Sequence, residues 1–121
     1  MTWLLLASVS WNYMLTTEVS MPHLEDNLRY AITHETRCLT RDELLTAFSV
    51  LQHPSLSGCA LRPSGETTYD LVCRPGSGTT GEAHWDVEPG HLSGTLHVRL
   101  GGKNMTFSQR ITAVPLAQCN R

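Results

Sequence analysis

Four cysteines, Cys38, Cys59, Cys73 and Cys119, are the residues whose chemistry would say most about where this chain works. They could bind a metal, act as thiol nucleophiles or form disulfides. None stands in a C-x-x-C pair and no histidine follows at ligand spacing, so the pattern does not fit a zinc site. A single nucleophilic cysteine would leave three unexplained. An even number in a short chain is the pattern of a disulfide framework, which belongs to an oxidising compartment. The favoured pairing joins Cys38 to Cys59, bracketing a helical segment, and Cys73 to Cys119, tying the tail to the sheet. The second connectivity joins Cys59 to Cys73 across a hairpin and Cys38 to Cys119.

Six histidines raise the question of a metal, but no three share a short element. Glu82 and His97 fall opposite each other in the strand register derived below, with His84 and Asp86 nearby. That is the composition of an acid/base pair. Nothing beside it supplies a nucleophile or a pocket, and a solvated cross-strand charge pair is the commoner use of such residues. No phosphate-binding glycine loop, nucleophile-elbow serine or paired-carboxylate motif occurs, so the chain is not expected to be an enzyme and no cofactor or metal is expected. Asn104-Met105-Thr106 matches a glycosylation acceptor and is taken as chance.

One apolar row does depart from plain core composition. Gln109 lies between Phe107 and Ile111 on an apolar face, and Gly94 faces Trp85. A glycine opposite an indole leaves room for the ring to lie across the sheet, with the glutamine amide able to bond the indole or a guest. If the sheet encloses a cavity, Trp85, Gly94, Gln109 and Phe107 line it, with Tyr30 contributed by the N-terminal half. The competing expectation is a filled core, with Leu44 and Phe48 packed on the same row.

The elements that position these residues are mostly strands. Trp11, Tyr13, Leu15 and Val19 share one strand face, and Leu28, Tyr30 and Ile32 repeat the alternation with His34 continuing it. Cys59 to Arg62 and Thr68 to Arg74 flank a Pro63-Ser64-Gly65 turn and form a hairpin. Pro89-Gly90 and Gly101-Gly102 separate three further runs. Their pairing sets Ala83 against Leu96, Trp85 against Gly94 and Val87 against Leu92, then Val98 against Met105 and Leu96 against Phe107. The opposite face collects Glu82, His84, Asp86, Thr95, His97, Arg99, Thr106, Ser108 and Arg110. Thr40-Arg41-Asp42-Glu43 is a capping box, and Leu44, Phe48 and Leu51 continue an amphipathic helix until His53-Pro54.

The expected fold is mainly β: about seven antiparallel strands in a meander, forming a curved sheet or partly open barrel, with one short helix inserted after the second strand. With 121 residues, residues 11–121 make a single disulfide-tied domain. Residues 1–10 are either the end of an export signal, the favoured assignment, or the start of the first strand. A net charge of −2 with scattered Lys and Arg argues against nucleic acid, and no apolar run is long enough to span a membrane.

The layout resembles a family of small exported bacterial proteins known only as a domain of unknown function. The resemblance is carried by Trp11, Cys38-Leu39-Thr40 before an acidic helix start, Gly58-Cys59, Cys73, Gly81, Gly90 to Leu96 and Cys119. It implies a periplasmic or otherwise exported protein and supplies no activity. The methionine-rich loop of that family is reduced here to Met21-Pro22. Two functions are therefore expected: a non-catalytic envelope binding module for an apolar small molecule or an envelope protein, or alternatively a periplasmic inhibitor or immunity-type protein acting on a hydrolase.

Overall fold

The computed structural model describes residues 9–20, 30–102 and 105–120. The signal-like segment before Val9, the loop carrying His23 and Leu28, and Asn104 lie outside them. Seven antiparallel strands form one sheet: β1 (Ser10–Ser20), β2 (Tyr30–Thr40), β3 (Ala60–Pro63), β4 (Thr68–Val72), β5 (Thr80–Glu88), β6 (His91–Leu100) and β7 (Met105–Cys119). Their spatial order is β2-β1-β7-β6-β5-β4-β3. Every consecutive pair is hydrogen-bonded except β2 and β3, and β1 closes onto β7. The sheet is not closed: β2 and β3 are its two edges, and the helical connection joins them.

Alternation builds the core. Tyr13 and Leu15 of β1, Tyr69 and Leu71 of β4, Ala83 and Trp85 of β5, Leu92, Leu96 and Val98 of β6, and Ile111 and Ala113 of β7 are buried on one face. The β5–β6 register is the expected one, including Trp85 against Gly94 and Val87 against Leu92. The apolar face runs out at the hairpin tip, where Val87 is exposed. Gly90 completes that turn with a φ of 87°, the left-handed geometry glycine adopts without a Cβ clash.

Four expectations are corrected. In the β6–β7 hairpin, Val98 faces Phe107 and Leu96 faces Gln109, two residues away from the expected pairing. Leu100 pairs with Met105, so four residues make the turn where the expected register left two, Gly101 and Gly102. A two-residue slip keeps every side chain on its face, so the hydrophobic pattern does not distinguish the two. In β2 it is Leu39 that faces the core, which puts Ile32 and His34 on the outer face. Ile32 is 60% exposed, and His34 Nδ1 lies 3.2 Å from Thr16 Oγ1.

The helix is also shorter than expected. Its capping box forms as read: Thr40 Oγ1 accepts from the Glu43 N–H at 3.2 Å and Glu43 Oε1 accepts from the Thr40 N–H at 2.8 Å. Yet α1 spans only Arg41–Leu45, and Phe48 is already extended before 3-10 turns at Ser49–Gln52 and Pro54–Leu56. Two sheet side chains explain the stop. The Trp85 indole N–H donates to the Leu45 carbonyl at 2.9 Å, and Gln109 Oε1 accepts from the Val50 N–H at 3.1 Å. A continuing α-helix would use both backbone groups itself. The segment instead lays Leu44, Leu45, Phe48, Val50 and Leu56 into the core.

The disulfides take the second connectivity, Cys38–Cys119 and Cys59–Cys73, and the favoured pairing is overturned. Ala60 faces Val72 in the β3–β4 ladder, so Cys59 and Cys73 stand opposite each other one step outward, with Cα atoms 4.0 Å apart. Cys38 and Cys119 flank β1 from β2 and β7. The ladder between β1 and β7 shifts between Asn12 and Tyr13, which inserts Leu116 as an extra residue. This bulge moves Cys119 onto the outer face, where Cys38 also lies. They pair with Asn12 and Ser10, two residues apart along β1, and two strand spacings in a flat sheet would by themselves separate them by about 9.5 Å. Their Cα atoms are 6.1 Å apart, so the sheet folds sharply across β1 at this corner.

Candidate functional site

Two places gather the residues singled out by sequence: the Trp85 row inside the sheet and the polar face outside it. Trp85 and Gly94 do face each other, and a Cβ built on Gly94 would overlap the indole ring, so the ring lies directly on the glycine. Phe48 covers Trp85 from the connection, with ring centroids 5.7 Å apart and planes tilted by 52°. Gln109 is fully buried, but it faces Leu96; Ile111, not Gln109, is the neighbour of Gly94. Its amide bonds neither the indole nor an open space. Oε1 takes the Val50 N–H, and Nε2 donates to Ser49 Oγ at 2.8 Å. Trp85 and Gln109 thus hold the connection by hydrogen bonds, and Gly94 makes room for the indole. Phe107 is only half-buried, opposite Val98, and Tyr30 pairs with Ser20 at the far end of β2 from Leu39.

Burial raises the pKa of both the Tyr13 and the Tyr69 phenols above 10.0, and the Arg41 charge opposes the shift at each. Asp42 adds to the upward shift at Tyr69.

On the outer face the register lines up Asp70, Glu82, His97, Ser108 and Ser20 straight across β4, β5, β6, β7 and β1. They border a hollow of about 520 Å³ together with Arg99, Thr80 and Thr106. Two further depressions extend toward His84 on one side and toward Glu18, Ile32 and Arg110 on the other, and His97 borders all three. A twisted sheet is saddle-shaped, which makes a sheet face hollow along one diagonal.

Glu82, His97 and Ser108 are adjacent in that row and have the composition of a nucleophile, base and orienting acid. Among the described residues no hydrogen bond joins them, whereas a triad depends on those bonds. The histidine–carboxylate pairs that form among the described residues are His84 with Asp86 at 3.1 Å and His91 with Glu88 at 3.2 Å. No three His, Cys, Asp or Glu side chains among the described residues group to hold a metal ion. The sequence placed Ser108 on this face but not opposite His97, and Ser20, which completes the row, was not singled out. Its signal was available in the alternation, but it required the β1–β7 pairing to be known.

The two disulfides form and persist in an oxidising environment, and no helix among the described residues is long and apolar enough to cross a membrane. No protein-family model, no curated protein and no solved structure matches the chain.

Proposed function

We propose that this chain is a non-catalytic protein of the bacterial envelope, exported to the periplasm, that binds a protein partner across the polar face of its sheet. The observation that carries a protein partner over an apolar small molecule is the closure of the Trp85 row. The indole occupies the space above Gly94, Phe48 covers it, and both ends of the Gln109 amide are engaged. An apolar guest needs a cavity mostly lined by apolar groups, and the row has its own side chains in that place. The hollow around His97 combines charged groups of both signs and hydroxyls with Phe107 and Val98, a mixed polar and apolar lining of the kind protein interfaces carry.

Two measurements test this. Tryptophan emission during titration with fatty acids should show no saturable change, and a saturable change that Gly94→Val abolishes in a folded protein would restore the apolar-ligand function. In the second, oxidised protein carrying His97→Arg and Ser108→Arg should lose an envelope partner that the wild type retains. Retention of the same partner by this variant would remove the polar face from the interaction.

A further inference from the structure

The two edges of the sheet are unlike. Strand β3 is four residues long and ends in Pro63, which has no N–H to offer a neighbour. Strand β2 is eleven residues long, about twice the usual strand, and its outer edge is unpaired among the described residues. From Ile32 to Arg37 its side chains are exposed on both faces. A long, accessible edge of this kind is a template for another strand.

The sequence of β2 specifies which strand fits. When a strand pairs antiparallel with a copy of itself about a twofold axis, one residue faces its own counterpart and its two neighbours face each other crosswise. A twofold axis at Glu35 would set carboxylate on carboxylate, and one at Arg37 guanidinium on guanidinium. An axis at His34 would put Glu35 against Thr33. Only an axis at Thr36 places Glu35 opposite Arg37, and symmetry makes that pair twice. Both side chains lie on one face, since they alternate with Thr36, and neither enters an ion pair among the described residues.

We propose that β2 is a homodimer seam, in which a second copy of this chain pairs its β2 antiparallel over Thr33 to Leu39. Thr36 sits on the axis, and Glu35 faces Arg37 of the partner subunit. Cross-strand Thr pairs and opposite charges are favourable neighbours in antiparallel ladders. The seam joins two seven-stranded sheets edge to edge and brings the two outer polar faces side by side. It stands independently of the proposed partner binding, because its test needs only the purified chain.

The test is sedimentation of the oxidised full chain from micromolar to millimolar concentration, at low and high salt. The wild type is expected to shift to twice the chain mass, with weaker association in high salt. E35K and R37E should each sediment as monomers, because each sets like charges opposite across the axis. Their equimolar mixture should regain the dimer, and so should the charge-swapped E35R/R37E chain. Wild-type far-UV spectra and cooperative thermal unfolding would show that the single variants are folded. A wild type that stays monomeric throughout overturns the seam. So does a dimer that survives in both single variants, or a mixture and a swapped chain that both remain monomeric.

Discussion

Gln109 is a polar side chain in a β-sheet core whose amide is used at both ends, by the Val50 N–H and by Ser49 Oγ. Replacing it with Leu keeps the volume and leaves a buried donor without an acceptor, which costs about 2 kcal/mol. Urea unfolding of Gln109→Leu should show a lower midpoint with an unchanged slope, and a wild-type midpoint would mean that water or another group takes over the Val50 N–H. Gly94 makes the complementary case by lacking atoms. Any Cβ there overlaps the Trp85 ring, so Gly94→Ala should lose about 1–3 kcal/mol by overpacking and shift tryptophan emission to the red as the indole is displaced. Wild-type stability in that variant would show that the ring does not need the bare backbone. Tyr13 and Tyr69 add a pH dependence. Their folded pKa values are raised by burial, so the neutral phenol is favoured in the folded state. That stability is fully present below about pH 10 and is lost as pH rises through the raised folded values. Thermal unfolding between neutral and strongly alkaline pH should show this fall, and Tyr69→Phe should reduce it.

At the scale of the element, the connection between β2 and β3 shows local and tertiary preferences in competition. The capping box starts a helix, and the Trp85 and Gln109 side chains then claim backbone groups that its second and third turns need. A helix of five residues has little stability of its own, so its start depends on the cap. Thr40→Ala should therefore cost about 1 kcal/mol, measured by thermal unfolding, with little change in the amplitude of the far-UV spectrum because the sheet dominates it. A loss well below that would mean that packing of Leu44 and Leu45 alone holds the turn.

For the whole molecule, the two disulfides differ in what they constrain. Cys59–Cys73 closes a separation of 14 residues within one hairpin, and Cys38–Cys119 closes 81, tying the second strand to the last across β1. In the chain-entropy account the short loop contributes about 3 kcal/mol and the long one about 4.5. Cys38→Ser with Cys119→Ser should thus lower the melting temperature more than Cys59→Ser with Cys73→Ser, and full reduction should lower it most. The reverse order would place the main effect in local packing at the β3–β4 hairpin. The sequence alone determined what depends on near neighbours: the two-residue alternation of the later strands, the β5–β6 register around Pro89-Gly90, the capping box at Thr40 and the disulfide-forming character of the four cysteines. Each follows from contacts a few residues apart or from composition. Only the tertiary structure decided the rest. The two-residue slip of β7 against β6 leaves the hydrophobic pattern unchanged, so turn length had to settle it. Helix length was decided by side chains about 40 and 60 residues away in the chain, on strands whose positions no local pattern reveals. Cysteine pairing depended on β1 lying between β2 and β7 and on the bulge at Leu116, which reverses the side-chain alternation and turns Cys119 toward Cys38.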